Sequence, residues 1–467
     1  MSNGLFVFNG IDAITGGYLL PEMSAHSIAA LARGEPPEPA YRELKYRYES
    51  GKFRTFGPVE GVDPGNLAEA GWGVIFAHDA DPGVREALRP LLVHRQAQAG
   101  PRYREYWGAD GYRPQESKPA FLARHKHGPG APDPERVPYY LLLVGDPEAI
   151  SYRFQYLLDV QFAVGRICFD AIDDYAHYAS SVVSAETMMA PRPKKAAFFG
   201  VRNPGDQATQ LSADELVAPL SAKMAQANAD WEFVNEIGSG ARKSRLADLL
   251  GGAGRPRLFF SACHGMGFAP GHPLQRSHQG ALLCQDWSGP LQHRGAVGND
   301  LYFAGDDIGD EADLSGMIAF FFACYGAGTP WLNDFSHQSL THPQPIAPSP
   351  FVAKLPQRML SLQKGGALAV IGHVERAWGC SFSWPGVGTH HQVFSAALQR
   401  LLDGMPVGHA LEYFNTKYAE LSTVLSSALE EARYAAEPDD LGLASLWTEL
   451  NDARSYIVIG DPAVRFT

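Results

Sequence analysis

No run of apolar residues in this chain is long enough to cross a membrane. The longest reach about seven to nine residues, against the ~20 that a spanning helix needs. The opening stretch MSNGLFVFNGIDAITGG has neither a basic leader nor an apolar core, so no secretory signal is expected. Cysteines are few, and none stand in a CxxC pair. Cys168, Cys263, Cys284, Cys324 and Cys380 make an odd, widely spaced set of five. That excludes a disulfide framework and points to reduced thiols in a cytoplasmic protein. A basic excess is missing too. Lys and Arg total 39 against 51 Asp and Glu, a net charge of −12. Phosphate binding runs on clustered cations, so nucleic acid and anionic membranes are not expected partners. No block of like charge suggests an interaction tail.

What is present is an ordinary globular composition, 45% hydrophobic and 19% charged over 467 residues. That length suits two compact units or one large α/β unit. Short β-rich runs alternate with helical patterns, the signature of a mainly parallel sheet sandwiched by α-helices. Strands are expected near 72–77, 138–144, 161–167, 195–200, 257–263, 316–323, 365–371 and 455–459. Helices are expected near 83–98, 170–185, 207–229, 241–250, 349–363, 391–403 and 407–435. The Pro- and Gly-rich segment 101–137 reads as a surface excursion, and THPQPIAPSP (341–350) as a loop. YYLLLVGDP ends at Pro147 and SYIVIGDP at Pro462, each a strand stopped by Gly-Asp-Pro. The echo suggests two α/β subdomains, residues 1–190 and 191–467.

Two strand ends carry chemistry. RLFFSACHGMGF (257–268) closes on Cys263-His264-Gly265, and GMIAFFFACYGAGTP (316–330) on Cys324 and glycines. Strands of a parallel sheet end on one edge, where sites collect. Adjacent strands would therefore set an imidazole beside a thiol, and a thiolate needs such a neighbour to lower its pKa or take its proton. The following glycines let backbone N–H groups approach a substrate carbonyl. Each residue alone has a plainer reading, the cysteine as a small buried hydrophobe and the histidine as a loop residue. Their pairing carries the signal. Cys263 points to the opposite face from His264 and reads as core; Cys168, Cys284 and Cys380 read as structural. Cys263, His264 and Cys284 lack the short spacings of a zinc site, and neither a metal nor a cofactor is expected.

An apolar strand ending in His-Gly, followed by one ending in Ala-Cys-x-Gly, resembles the caspase-like clan of cysteine peptidases, and within it the gingipain-type peptidases. The stretches that carry the resemblance run in the family's order: YYLLLVGDPEAISYRFQYLLDVQFAVGRICFD (139–170), FFSACHG (259–265), AFFFACYGAG (319–328), GGALAVIGHVERAWG (365–379) and YIVIGDP (456–462). The resemblance implies a caspase-hemoglobinase-like fold with a catalytic subdomain over 191–467. It also implies a cysteine endopeptidase with Cys324 as nucleophile and His264 as general base and acid. The N–H groups of Gly265 and Cys324 would form the oxyanion hole. A carboxylate four residues after the Arg of a Gly-Arg pair falls on Asp170, which would orient His264 as in catalytic triads; as the residue opening a helix, Asp170 also reads as an ordinary cap. Trp378 would wall the first specificity pocket. Glu375, or the acidic run Asp306, Asp307, Asp310, Glu311 and Asp313, would meet a basic side chain. The bland readings are packing for Trp378 and a solvated loop for the acids.

The sequence also departs from the family. The His264-to-Cys324 spacing of 60 is longer than in gingipains, with inserts GALLCQDWSGP and YFAGDDIGDEADLSG. No counterpart of the family's propeptide or immunoglobulin-like domain is read. The expected partner is a protein or peptide substrate, including a dedicated partner protein. Two rivals stay open: a catalytically silent scaffold that recruits partners, and a small-molecule amidase using the same dyad.

Overall fold

The computed structural model describes residues 5–6, 10–18, 23–24, 58–59, 61–187, 192–252, 254–333, 345–384, 388–389, 391–432 and 439–466. Ten strands form its central sheet: β1 Trp72–Phe76, β2 Tyr103–Tyr106, β3 Tyr140–Val144, β4 Ala163–Ile167, β5 Lys195–Gly200, β6 Glu232–Ile237, β7 Leu258–Ala262, β8 Ile318–Phe322, β9 Ala369–His373 and β10 Tyr456–Gly460. Their order across the sheet is β2-β1-β3-β4-β10-β9-β8-β7-β5-β6. Strands β1 to β4 run parallel to one another, and so do β5 to β9. The last strand, β10, lies between the two groups and runs antiparallel to β9. The chain therefore adopts the expected mainly parallel α/β architecture with flanking helices.

All eight expected strands are present. Strands β2 and β6 were not anticipated, and both are edges. YREY and EFVNEI keep polar residues on their open faces and are only half buried, so neither shows the unbroken apolar run of a central parallel strand. The first of them falls inside 101–137, which is thus not wholly an excursion: it also holds a helix at Lys118–Arg124. The helix at Asp440–Arg454 was missed as well. Of the Pro-rich loop 341–350, residues 341–344 lie outside the described residues. No helix among the described residues is long and apolar enough to cross a membrane.

Eight adjacent strands, all but the two edges, are buried at every residue except Lys195. Phe198, Phe260 and Phe320 stack across three of them, with ring centroids 5.6 and 5.2 Å apart. Such aromatic pairs add about 0.5–1.5 kcal/mol each beyond burial. This ladder fixes the register of β5, β7 and β8, whose ends position the candidate site.

The loops leaving the two strand groups meet. Tyr152, just past β3, donates its hydroxyl to the Phe351 carbonyl at 2.8 Å. The Lys354 ammonium reaches Asp170, just past β4, at 2.8 Å. At the far end of the sheet, Trp72 opens β1 and donates its indole N–H to Asp461, just past β10, at 2.9 Å.

Candidate active site

Strands β7 and β8 pair with Ala262 opposite Phe322. His264 and Cys324 each lie two residues beyond that last pair, and Gly265 passes against the Cys324 backbone. Gly265 makes the approach possible: a Cβ there would overlap the Cys324 carbonyl oxygen outright and stand 2.9 Å from its nitrogen. The next residue, Tyr325, has φ 59, uncommon for a side-chain-bearing residue. Its N–H is held by the Glu375 carbonyl at 2.5 Å. The chain is thus turned sharply straight after the cysteine.

The imidazole is fully buried and held at both nitrogens. The Gly10 N–H donates to Nδ1 at 2.9 Å, and Nε2 lies 2.7 Å from Asp206 Oδ2. A backbone N–H can only donate, so Nδ1 is the acceptor and the ring proton sits on Nε2, facing the carboxylate. Asp206 caps the helix Gln207–Leu211 and also accepts from Tyr18 Oη at 2.6 Å and Thr209 Oγ1 at 2.7 Å. Burial works against its charge, but His264, Tyr18 and Thr209 outweigh burial and hold the carboxyl down at about 2.

The carboxylate that meets the imidazole is therefore Asp206. Asp170 is 71% exposed and pairs with Lys354; it does not reach the ring. Asp206 follows β5, the neighbour of β7, so its strand ends on the same edge. The readable signal was a third strand end, GVRNPGD, stopping in an acid. Replacing Asp206 with Asn should cost about 2–3 kcal/mol, as expected when a hydrogen-bonded buried charge is lost, while Asp170→Asn should change stability by less than about 0.5 kcal/mol. Because the folded carboxyl lies below its ordinary value of ~3.9, its contribution is full above about pH 4 and fades as the pH falls toward 2. Urea titrations of the two variants between pH 3 and 7 measure both effects, and equal losses would remove Asp206 from its place.

Cys324 is also fully buried. Its Sγ accepts the Ala377 N–H at 3.3 Å and faces the Ala377 carbonyl at 3.8 Å. Burial pushes the thiol up to about 12, against the opposing pull of the Ala377 amide. Among the described residues no hydrogen bond joins Cys324 to His264, so the two lie on neighbouring strand ends with the thiol protonated and the imidazole engaged elsewhere. Cys263 is packed in the core and burial raises its thiol further.

The residues read as specificity determinants are occupied. Glu375 is buried at φ 77, its carboxylate 2.6 Å from the Arg376 guanidinium. Trp378 is packed among Tyr418, Leu425 and Trp447 in a satellite core. The acids of the run each meet a partner: Asp306 faces His278, Asp307 Lys243, Asp310 Arg358, Glu311 Lys364, and Asp313 Arg192 and Arg255.

The mainly parallel sheet with flanking helices is an α/β fold of the caspase-like kind, as seen in gingipain. The crystal structure of the Arg-specific cysteine proteinase gingipain R (RgpB) superposes with a TM-score of 0.51 at 13% identity, covering 88% of this chain and 80% of that one. The complex of Porphyromonas gingivalis RgpB pro- and mature domains gives a TM-score of 0.46 at 13% identity, over 85% of this chain and 80% of that one. No protein-family model and no curated protein matches the sequence.

Proposed function

We propose that the chain is a cysteine endopeptidase of the caspase-like, gingipain-like type, held in a resting arrangement. Cys324 attacks a peptide carbonyl to give a thioacyl-enzyme. His264 accepts the thiol proton and passes it to the leaving amine, and water then hydrolyses the thioester. The N–H groups of Gly265 and Cys324 receive the oxyanion. The observation that supports this reading is the close passage of Gly265 against the Cys324 peptide, which sets His264 on the adjoining strand end. Two contacts must open before reaction: the Gly10 N–H on Nδ1 and the Ala377 amide on Sγ. With Asp206 keeping Nε2, Nδ1 is the nitrogen left to work, and Asp206 stabilises the imidazolium. Glu375 and Trp378 line a substrate subsite only if the 375–378 segment rearranges. A cytoplasmic location and a dedicated partner protein as substrate belong to the same proposal.

The test is labelling with peptide acyloxymethyl ketones, which alkylate an activated thiol with loss of the carboxylate, read for each cysteine by mass spectrometry. Cys324 should be labelled ahead of the other four. His264→Ala should slow it about 100-fold or more. A Cys324 that reacts no faster than the rest in folded protein at pH 7 would instead favour a partner-recruiting scaffold, a reading supported by the buried, protonated thiol.

A further inference from the structure

We propose that the cleft between the two strand groups binds a small zwitterion of the α-amino-acid class. The cleft has a volume of about 140 Å³, on the scale of a single amino acid. Asp146, from the loop after β3, and Cys168 and Asp170, after β4, form one wall. Arg276, from the short helix Gln275–His278, forms the other with Phe351, Lys354 and Gln357. In α/β folds, crevices outside the C-terminal strand ends, where the topology divides, are where small ligands sit.

Three groups keep charge or hydrogen-bonding capacity that the described residues do not use. The Arg276 guanidinium lies over the Phe351 ring, 5.5 Å from its centroid, and meets no carboxylate among the described residues. The exposed Asp146 carboxylate accepts only from the Glu148 and Ala149 N–H groups, both at Oδ1. The third is the most telling. Gln357 is 7% exposed and its Oε1 is buried without a partner. Its Nε2 donates to the Val352 carbonyl at 2.8 Å. Only the NH₂ end can bond a carbonyl, so the amide cannot be flipped and Oε1 must wait for a donor. A buried acceptor left unmade is costly. Lys354 and Asp170, by contrast, neutralise each other.

The open groups are thus one cation and two acceptors, one of them anionic. A carboxylate on Arg276 with an ammonium shared between Asp146 and Gln357 Oε1 satisfies all three at once. A simple anion leaves the acceptors open, and a simple amine leaves Arg276 open. The neutral Cys168 thiol lies within the field of Asp146, Asp170 and Arg276, which places these charges around one space. Phe351 and Val352 pair with Gly328 and Thr329, a few residues beyond Cys324, so the cleft adjoins the proposed reaction site without sharing its residues.

Thermal unfolding of the full chain with glycine, L-leucine, L-arginine or L-glutamate tests the proposal, with isovalerate and isoamylamine as half-ligands. At least one amino acid should raise Tm at about 10 mM by mass action. Calorimetry should give that amino acid at least tenfold tighter binding than either half-ligand, and R276Q and D146N should each weaken it about tenfold or more. Cys324→Ala should leave binding intact, which separates this result from the fate of the peptidase reading. No stabilisation by any of the four, equal binding of isovalerate, or full affinity in R276Q would each overturn it.

Discussion

Asp461→Ala should lower the unfolding free energy by about 3–5 kcal/mol, a large part of the 5–15 that holds a typical domain. The carboxylate is inaccessible to water and lies 2.6 Å from the Arg95 Nε, itself 1% exposed. Its other oxygen accepts from the Trp72 indole and the Ala463 N–H, and the Asp461 N–H donates to the Tyr178 hydroxyl. Arg95 is gripped from the other side by Glu186, with both distances 2.7 Å. The network joins the end of β10 to the start of β1 and to helices Arg89–Ala99 and Ile172–Thr187. Alanine would leave a buried guanidinium with half its charge compensation and an indole N–H with none. Denaturant titration measures the loss. In a double-mutant cycle, Arg95→Met should cost much less in the Asp461→Ala background than in the parent. A loss under about 1 kcal/mol would mean the chain's last strand is held by packing alone.

Asp461 also shows where reading the sequence stops. The two Gly-Asp-Pro endings were visible as an echo, and their local meaning was correct: Gly145 and Gly460 take φ of 144 and 130, which favours glycine in both. Local chemistry could not say that Asp461 would be buried on an arginine 366 residues away, while Asp146 would close a solvent-facing turn. The central strands were legible because a parallel strand covered on both faces must be apolar throughout. Edge strands β2 and β6 lack that constraint and were missed. At the candidate site, His264 and Cys324 could be proposed from the apolar runs that deliver them. Asp206 was not, because its strand ends in a turn that looks like any helix cap. Counting from Gly165-Arg166 led instead to Asp170, on the far wall of a different cleft.

Gly265→Ala should disrupt the site more than any single side-chain deletion in it. The backbone of Gly265 lies outside the left-handed region, so the cost is space rather than conformation. A methyl group would overlap the Cys324 carbonyl oxygen and lie 2.7 Å from its carbon. Every atom in the way belongs to backbone, so no rotamer change relieves the clash; β7 and β8 must part where they deliver His264 and Cys324. Overpacking of this kind costs about 3 kcal/mol or more. Gly271→Ala is the control: its φ is 78 and nothing lies within 4 Å of the added methyl, so only backbone strain of about 1–2 kcal/mol applies. Urea unfolding should therefore separate the variants by at least about 1 kcal/mol. Whatever Gly265→Ala remains folded should also lose ketone labelling at Cys324, since the strand ends no longer meet, whereas Gly271→Ala should keep it. Equal stability and equal labelling would show that the two strand ends pass each other with room to spare, and the structural basis for pairing His264 with Cys324 would be gone.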